Sequence, residues 1–120
     1  MAYVMIADDD PSCRSLIAMQ IRGLGHEVGI ATDGPSAVAL ASKRQADMVI
    51  LDICMPGFDG FSAVRRIRQL AGYGETPILA LTSTDDTFGV NETVKAGFTD
   101  LMFKPWQIRA LEGRIRAMLG

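Results

Sequence analysis

The sequence YVMIADDDP, from Tyr3 to Pro11, joins a short apolar run directly to three adjacent aspartates. Its first five residues are apolar at consecutive positions, which indicates a strand buried on both faces of a sheet. Adjacent carboxylates repel one another, and the burial of one uncompensated carboxylate is costly. The three aspartates therefore predict either a solvated turn that begins a helix or one half of a cation site.

Four more apolar runs follow along the chain, and longer amphipathic segments separate them. The runs are EVGIA (27–31), MVILD (48–52), PILALT (77–82) and DLMFK (100–104). Apolar residues recur at helical spacing in the segments 11–25, 34–44, 58–72, 87–97 and 105–119. Five buried strands that alternate with five helices predict an α/β fold with a doubly wound parallel sheet.

The length and composition predict one domain over residues 1–120. Of the 120 residues, 48% are hydrophobic, which is enough for a proper core and argues against disorder. The formal net charge of −2 is too small to indicate nucleic-acid binding. Arginines gather in VRRIR (64–68) and at Arg109, Arg114 and Arg116, and we interpret both groups as solvated helix faces.

The cysteines and the lack of a long apolar segment indicate an intracellular setting. Cys13 and Cys54 have neither a CxxC spacing nor a cluster of zinc ligands around them. No run is long enough to span a membrane, and the N-terminus has no basic region ahead of an apolar segment. We expect a cytoplasmic protein, or a segment of a longer one, that does not contact a membrane.

Polar residues mark the ends of four of the five predicted strands. They are Asp8, Asp9 and Asp10 after the first strand, Asp52 at the third, Thr82 and Ser83 at the fourth, and Lys104 at the fifth. In a doubly wound sheet these positions share one rim, and ligands bind beyond it. Carboxylates from two strands favour a cation between them, and oxygen ligands without His or Cys favour Mg²⁺ or Mn²⁺.

The same rim predicts phosphoryl chemistry. A divalent cation, the Lys104 ammonium and the Thr82 hydroxyl together neutralise the oxygens of a transferring phosphoryl group. A carboxylate can act as the nucleophile and form an aspartyl-phosphate. Asp52 is the candidate nucleophile, because it stands alone at its strand end with the other groups around it.

The pieces IADDDP, LDICMPGFDG, ALTST and FKP resemble, in their order and spacing, the receiver domain of two-component response regulators. The resemblance covers Tyr3 to Leu119. It implies a flavodoxin-like, CheY-like fold with the sheet order 2-1-3-4-5, which the chemotaxis member of the family exemplifies. It also implies a phosphoacceptor that takes a phosphoryl group from phosphohistidine of a histidine kinase or a phosphotransfer protein.

The resemblance assigns a role to each residue of the rim. Asp52 is the implied phosphoacceptor, and Thr82 and Lys104 are the implied partners of the phosphoryl oxygens. Asp9 and Asp52 would bind Mg²⁺ directly, Asp8 would act through a metal-bound water, and the backbone carbonyl of Cys54 would complete the metal shell. The only activities implied are self-phosphorylation and self-dephosphorylation.

Two departures from the family pattern stand out, and the milder one is Trp106, which replaces the usual Phe after the Lys-Pro pair. Leu101 occupies a switch position that often carries Tyr or Phe, and a leucine offers neither an aromatic flip nor a phenolic hydroxyl.

Cys54 and Thr84 occupy the positions that tune the attack of water on the phosphoryl group, and without a carboxylate or amide there we expect slow dephosphorylation. The bond between Lys104 and Pro105 matches a family position that is usually cis. Asp10, by contrast, is expected to begin the first helix.

The output surface implied by the resemblance lies within residues 87–118. The signal would pass to a downstream protein or to a covalently linked output domain, and not to nucleic acid through this domain. A stand-alone regulator and a receiver within a hybrid kinase both fit. Two alternatives stay open: a pseudo-receiver that only binds proteins, and a phosphatase of the haloacid dehalogenase type. The phosphatase class needs an acid two residues after its nucleophile, where this chain has Cys54.

Overall fold

Strands and helices alternate in the computed structural model, which describes residues 1–54, 59–83 and 90–120. The strands are β1 (Tyr3–Ala7), β2 (Glu27–Ala31), β3 (Met48–Asp52), β4 (Ile78–Ser83) and β5 (Asp100–Lys104). The helices are α1 (Pro11–Gly23), α2 (Gly34–Lys43), α3 (Gly60–Gln69), α4 (Val90–Ala96) and α5 (Ile108–Leu119). The predicted order of elements is confirmed, and β4 begins and ends one residue later than predicted.

The five strands form one parallel sheet in the order β2-β1-β3-β4-β5, as predicted. The register pairs Ala7 with Leu51, so the last residue of β1 lies beside the end of β3. It also pairs Ser83 with Lys104, so β4 and β5 end together. The carboxyl ends of these four strands therefore share one rim, and the polar residues that follow them meet there.

The core consists of two apolar layers, one on each face of the sheet. Along β1, Met5 and Ala7 contribute to the layer covered by α2 and α3, whereas Val4 and Ile6 contribute to the layer covered by α1 and α5. This division follows from the two-residue period of a strand, which points successive side chains to opposite faces. Both faces of β1 and β3 are buried, which confirms that part of the prediction.

The strand β2 differs from the prediction that all five strands are buried on both faces. Only Ala31 at its end is buried, and Ile30 is 45% exposed. The physical reason is its place at the edge of the sheet, where β1 is its one neighbouring strand. An edge strand has fewer covering side chains than a central one, so continuous apolar sequence does not ensure burial there.

Aspartate side chains begin the first three helices. Asp10 accepts a hydrogen bond from the backbone N–H of Ser12, so the expectation that it begins the first helix is confirmed. Asp33 and Ser36 form a reciprocal capping box at the start of α2. Asp59 caps α3. Each cap satisfies a backbone donor that the helix itself leaves unpaired, and each helix therefore starts at a defined residue after its strand.

Arg68 is not part of a solvated helix face, contrary to the interpretation of the VRRIR segment. Its guanidinium donates hydrogen bonds to the carbonyls of Gly97 at 2.9 Å, Tyr73 at 2.7 Å and Thr76 at 2.6 Å. Burial lowers the pKa of this guanidinium, although the charge of Glu75 opposes the shift. The periodic pattern could not reveal this role because the carbonyls belong to loops that approach α3 only in the folded chain.

We expect Arg68→Met to lower the free energy of unfolding by about 2–4 kcal/mol, because the substitution leaves several partly buried carbonyls without a donor. Arg68→Lys should recover only part of the loss, since an ammonium cannot reproduce the forked geometry of a guanidinium. Urea unfolding followed by circular dichroism measures both values. Arg65→Met is the matched control on the exposed side of the same helix, and an equal loss there would contradict the role given to Arg68.

Candidate functional site

Three carboxylates converge at the rim where β1 and β3 end. Asp8 directly follows β1 and is fully buried, Asp52 is the last residue of β3 and is 6% exposed, and Asp9 is exposed. One oxygen from each of the three carboxylates lies within 4.8 Å of the other two. The neighbouring positions of β1 and β3 in the sheet explain this convergence of residues that lie far apart in the sequence.

Lys104 joins this cluster from the end of β5. Its ammonium donates a hydrogen bond to Asp8 Oδ2 at 2.7 Å and another to Asp52 Oδ2 at 3.2 Å. The side chain of Lys104 is 20% exposed and those of Asp8 and Asp52 are almost fully buried, so solvent screens these ion pairs weakly. Three negative charges therefore face one positive charge, and the cluster keeps a negative excess.

The electrostatics of the site disfavour the ionised form of the Asp52 carboxyl. The pKa of Asp52 is raised from 3.8 to about 6, chiefly by burial and also by the charge of Asp8, while Lys104 and the backbone N–H of Cys54 only partly oppose the shift. Burial acts to lower the pKa of Lys104, but the hydrogen bond with Asp8 and the charges of both carboxylates outweigh it, so that pKa is raised. The site therefore favours the binding of further positive charge near Asp52.

The residues of the cluster fit a divalent cation that prefers oxygen. The donors that Asp8, Asp9 and Asp52 offer are carboxylate oxygens, which suit Mg²⁺ or Mn²⁺ better than a thiophilic ion. The excess negative charge supplies the electrostatic reason for binding. The backbone N–H of Cys54 donates to Asp52 Oδ1 at 3.2 Å and helps to orient that carboxylate.

Two further residues support the site, and only one of them has a recognisable signal in the sequence. Arg14 of α1 donates a hydrogen bond from Nη1 to the backbone carbonyl of Asp8 at 3.0 Å. Gly60 begins α3 so close to β3 that a Cβ atom there would lie 2.6 Å from both the Asp52 carbonyl oxygen and Ile53 Cα. The glycine at a helix start was a signal for Gly60, whereas nothing in the sequence distinguishes Arg14 from other surface arginines.

The other candidate residues that the structure describes lie in or directly after β4 and β5. Thr82 is buried at the carboxyl end of β4, where it is paired in register with Phe103. Leu101, at the predicted switch position, is 8% exposed and packs into the core layer beside α3 and α4. The bond between Lys104 and Pro105 is cis. Thr84 lies outside the residues that the structure describes.

Among the described residues, no helix has the length and apolar character needed to cross a membrane.

Comparisons with known proteins give a consistent set of relatives. A family model described as the response regulator receiver domain matches residues 4–116. The transcriptional regulatory protein AfsQ1 of Streptomyces coelicolor is 34% identical over 119 residues, which cover 99% of this chain and 52% of that protein. The DNA-binding response regulator MtrA of Mycolicibacterium smegmatis is 32% identical over 97% of this chain and 50% of its own length. This chain thus spans about half the length of these curated relatives.

Solved structures resemble the fold over nearly the whole chain. The chemotaxis protein CheY4 of Vibrio cholerae superposes with a TM-score of 0.92 and 34% identity, covering 99% of each chain. The receiver domain of the sensor histidine kinase PA1611 of Pseudomonas aeruginosa has a TM-score of 0.90 and 28% identity, covering 99% of this chain and 98% of that chain. Its structure was solved with a magnesium ion coordinated in the active site cleft.

The raised pKa of Asp52 predicts a pH-dependent effect of Asp52→Asn on stability. A carboxyl with a raised pKa stabilises the fold below its unfolded value of 3.8, and this contribution is lost as the pH rises through about 6. Without Mg²⁺, Asp52→Asn should therefore exceed the wild type in unfolding free energy by about 1–3 kcal/mol near pH 8. The difference should shrink toward pH 4, as measured by urea unfolding at each pH.

Asp10→Asn is the matched control for this measurement, because Asp10 is exposed and asparagine is an equally good helix cap. Its effect should stay within about 0.5 kcal/mol at both pH values. If Asp52→Asn were equally stabilising at both ends of the pH range, better packing and not relief of charge would be the cause.

Proposed function

The chain belongs to the response regulator receiver domain family, and from this premise we propose that it is a phosphoacceptor in a two-component phosphorelay. It takes a phosphoryl group from phosphohistidine of a histidine kinase or a phosphotransfer protein onto Asp52. The observation that carries the proposal is the contact of the Lys104 ammonium with both Asp8 and Asp52 inside a cluster of three carboxylates.

The transfer follows from the chemistry of the cluster. An ionised oxygen of Asp52 attacks phosphorus, an O–P bond forms as the N–P bond of phosphohistidine breaks, and the imidazole nitrogen leaves with the bonding electron pair. The pKa of Asp52 at about 6 leaves most of this carboxyl ionised at neutral pH. Lys104, already hydrogen-bonded to Asp52, is within reach of a phosphoryl oxygen there, and Thr82 supplies a hydroxyl from the adjacent strand end.

The proposed metal is Mg²⁺, with Mn²⁺ as an alternative. Asp9 and Asp52 would hold it directly together with the backbone carbonyl of Cys54, and Asp8 would hold it through a water. The bound ion supplies positive charge to the phosphoryl oxygens as they gain negative charge. The fit of the three carboxylates to an oxygen-preferring cation supports this assignment.

We propose that the signal leaves through β4 and β5 and not through an aromatic switch. Leu101 has no aromatic ring to rotate, but the ends of β4 and β5 are joined in register at Thr82–Phe103 and Ser83–Lys104. A phosphoryl group that draws Thr82 and Lys104 toward Asp52 would therefore displace both strand ends together. Phe103 is 46% exposed at this place and would carry the change to the surface of α4, β5 and α5.

The output partner is proposed to be either a linked domain or a separate protein. The chain spans about half the length of AfsQ1 and MtrA, which are named as a transcriptional regulator and a DNA-binding response regulator. The receiver of the PA1611 kinase offers the other precedent, a receiver carried within a sensor kinase. In either arrangement this domain acts in the cytoplasm and contacts proteins, not nucleic acid or a membrane.

Incubation with Mg²⁺ and acetyl phosphate should add one phosphoryl group to the intact mass of the wild-type protein. Asp52→Asn should abolish the adduct because it removes the nucleophile, whereas Asp10→Asn should keep it because Asp10 caps α1 and is not one of the three clustered carboxylates. Removal of Mg²⁺ with a chelator should also prevent the adduct. The fluorescence of Trp106, the one tryptophan of the chain, gives a second reading when beryllofluoride replaces acetyl phosphate.

The outcomes of this experiment separate the three functions considered. An adduct that depends on Asp52 and Mg²⁺ supports the phosphoacceptor. A wild-type protein that forms no adduct in saturating Mg²⁺ would instead be a pseudo-receiver that only binds other proteins. Rapid turnover of many phosphate esters would identify a phosphatase, although Cys54 leaves no acid at the place that such an enzyme needs.

The residue at position 54 should set the lifetime of the aspartyl-phosphate. Cys54 is exposed beside Asp52, and its thiol is a weak partner for an attacking water. Cys54→Asn should shorten the lifetime severalfold, because an amide can hold the attacking water by hydrogen bonds. The decay of the intact-mass adduct after removal of acetyl phosphate measures the rate. Cys13→Ala is the matched cysteine control, and an equal change in both variants would contradict a role for position 54.

A further inference from the structure

Gln20 joins α1 to the segment that follows Lys104. Its Oε1 accepts a hydrogen bond from Trp106 Nε1–H at 3.0 Å, and its Nε2 donates to the backbone carbonyl of Ile108 at 2.9 Å. In the sequence, Trp106 lies 86 residues and Ile108 lies 88 residues from Gln20. A single amide side chain therefore uses its acceptor and its donor to bind two residues of the turn from β5 into α5.

This turn has little support of its own. Gln107 is the first flanking residue of α5, and its side chain makes no capping hydrogen bond. The residues from Pro105 to Ile108 are exposed except for Trp106, which is half-buried against the core layer beside α1 and α5. Within the described chain, the side-chain hydrogen bonds that reach Trp106 and Ile108 come from Gln20.

Residues on either side of the first two turns of α1 thus form hydrogen bonds with the segment from Lys104 to Ile108. Just before α1, Asp8 accepts the hydrogen bond from the Lys104 ammonium, and near the end of α1 Gln20 binds Trp106 and Ile108. Between these two ties lies an apolar groove of about 420 Å³, whose lining includes Leu16, Lys104 and Trp106. Loss of the Gln20 contacts would remove the side-chain hydrogen bonds that hold Trp106 and Ile108 against α1, and the groove that Lys104 lines could then widen.

We propose that Gln20 is a positioning residue that holds the Lys104 ammonium in place against Asp52. The inference rests on the proposed phosphoacceptor function, since it concerns how Lys104 meets the phosphoryl oxygens. A lysine needs such support more than an arginine does, because its ammonium is a point charge on a flexible four-carbon chain. Fixing the segment beyond it at the Trp106 indole and at the Ile108 carbonyl reduces the set of positions that the ammonium can reach.

The test uses acetyl phosphate as the donor, because a small molecule does not depend on a protein docking surface. Gln20→Leu keeps the size of the side chain but removes both hydrogen bonds. We expect it to lower the maximal rate of Asp52 phosphorylation about tenfold, while the concentrations of acetyl phosphate and Mg²⁺ that give half the maximal rate stay unchanged. Gln20→Glu keeps the acceptor for Trp106 but loses the donor to Ile108, and its rate should be intermediate.

A double-mutant cycle with Lys104→Met distinguishes positioning from a general weakening of the fold. If Gln20 acts through Lys104, Gln20→Leu should slow phosphorylation no further in the Lys104→Met background, as measured by intact mass over long incubations. Arg68→Met serves as the stability control, because it should cost more unfolding free energy than Gln20→Leu while leaving the rate near that of the wild type below its melting temperature.

The outcomes of these measurements decide between the inference and its rivals. Wild-type rates in Gln20→Leu, or a full tenfold loss that persists in the Lys104→Met background, would overturn the role of Gln20. A loss seen only with a phosphohistidine protein as the donor would also overturn it, because Gln20 would then serve the docking of that protein. If the wild type itself forms no adduct, the proposed function fails first and the inference fails with it.

Discussion

The contact of one ammonium with two carboxylates from different strands is the interaction on which the rim of the sheet depends. Asp8 directly follows β1 and Asp52 ends the neighbouring β3, and their burial would be unfavourable without an opposite charge between them. Lys104 reaches both from β5 and satisfies them by hydrogen bonds. It does not cancel the charge of the cluster, and the remaining negative charge is what suits the place to cations and to a transferring phosphoryl group.

Three features of the fold hold the carboxylates of Asp8 and Asp52 close together. The strand register places Ala7 beside Leu51, which brings the ends of β1 and β3 side by side. Gly60 lets α3 begin against the backbone of Asp52, where any larger residue would collide with it. Asp10 caps α1 next to Asp8 and fixes the direction in which the chain leaves the rim. Defined backbone contacts thus hold Asp8 and Asp52, while Lys104 reaches them at the end of a long, flexible side chain.

The sequence was informative wherever one local pattern determined the outcome. Consecutive apolar runs followed by helical spacing predicted the α/β sheet, and strand ends carrying Asp8, Asp52 and Lys104 predicted which residues meet. The exposure of β2 could not be predicted in this way, because an edge position is a property of strand order and not of the strand. Arg68 and Gln20 gave no signal either, since their partners are loop carbonyls and an indole that reach them only after distant elements have packed.

The distance along the chain between the charged partners has a consequence for how the molecule assembles. The hydrogen bond between Lys104 and Asp8 spans 96 residues, and that between Lys104 and Asp52 spans 52. During synthesis from the N-terminus, β1, β2 and β3 emerge and can pair before β5 exists. The acids consequently remain without their counter-charge until the last strand docks, and contacts of such long sequence separation form slowly. Addition of the Lys104 charge therefore coincides with the docking of β5 at the edge of the sheet, and a nascent or truncated chain would carry a more negative rim.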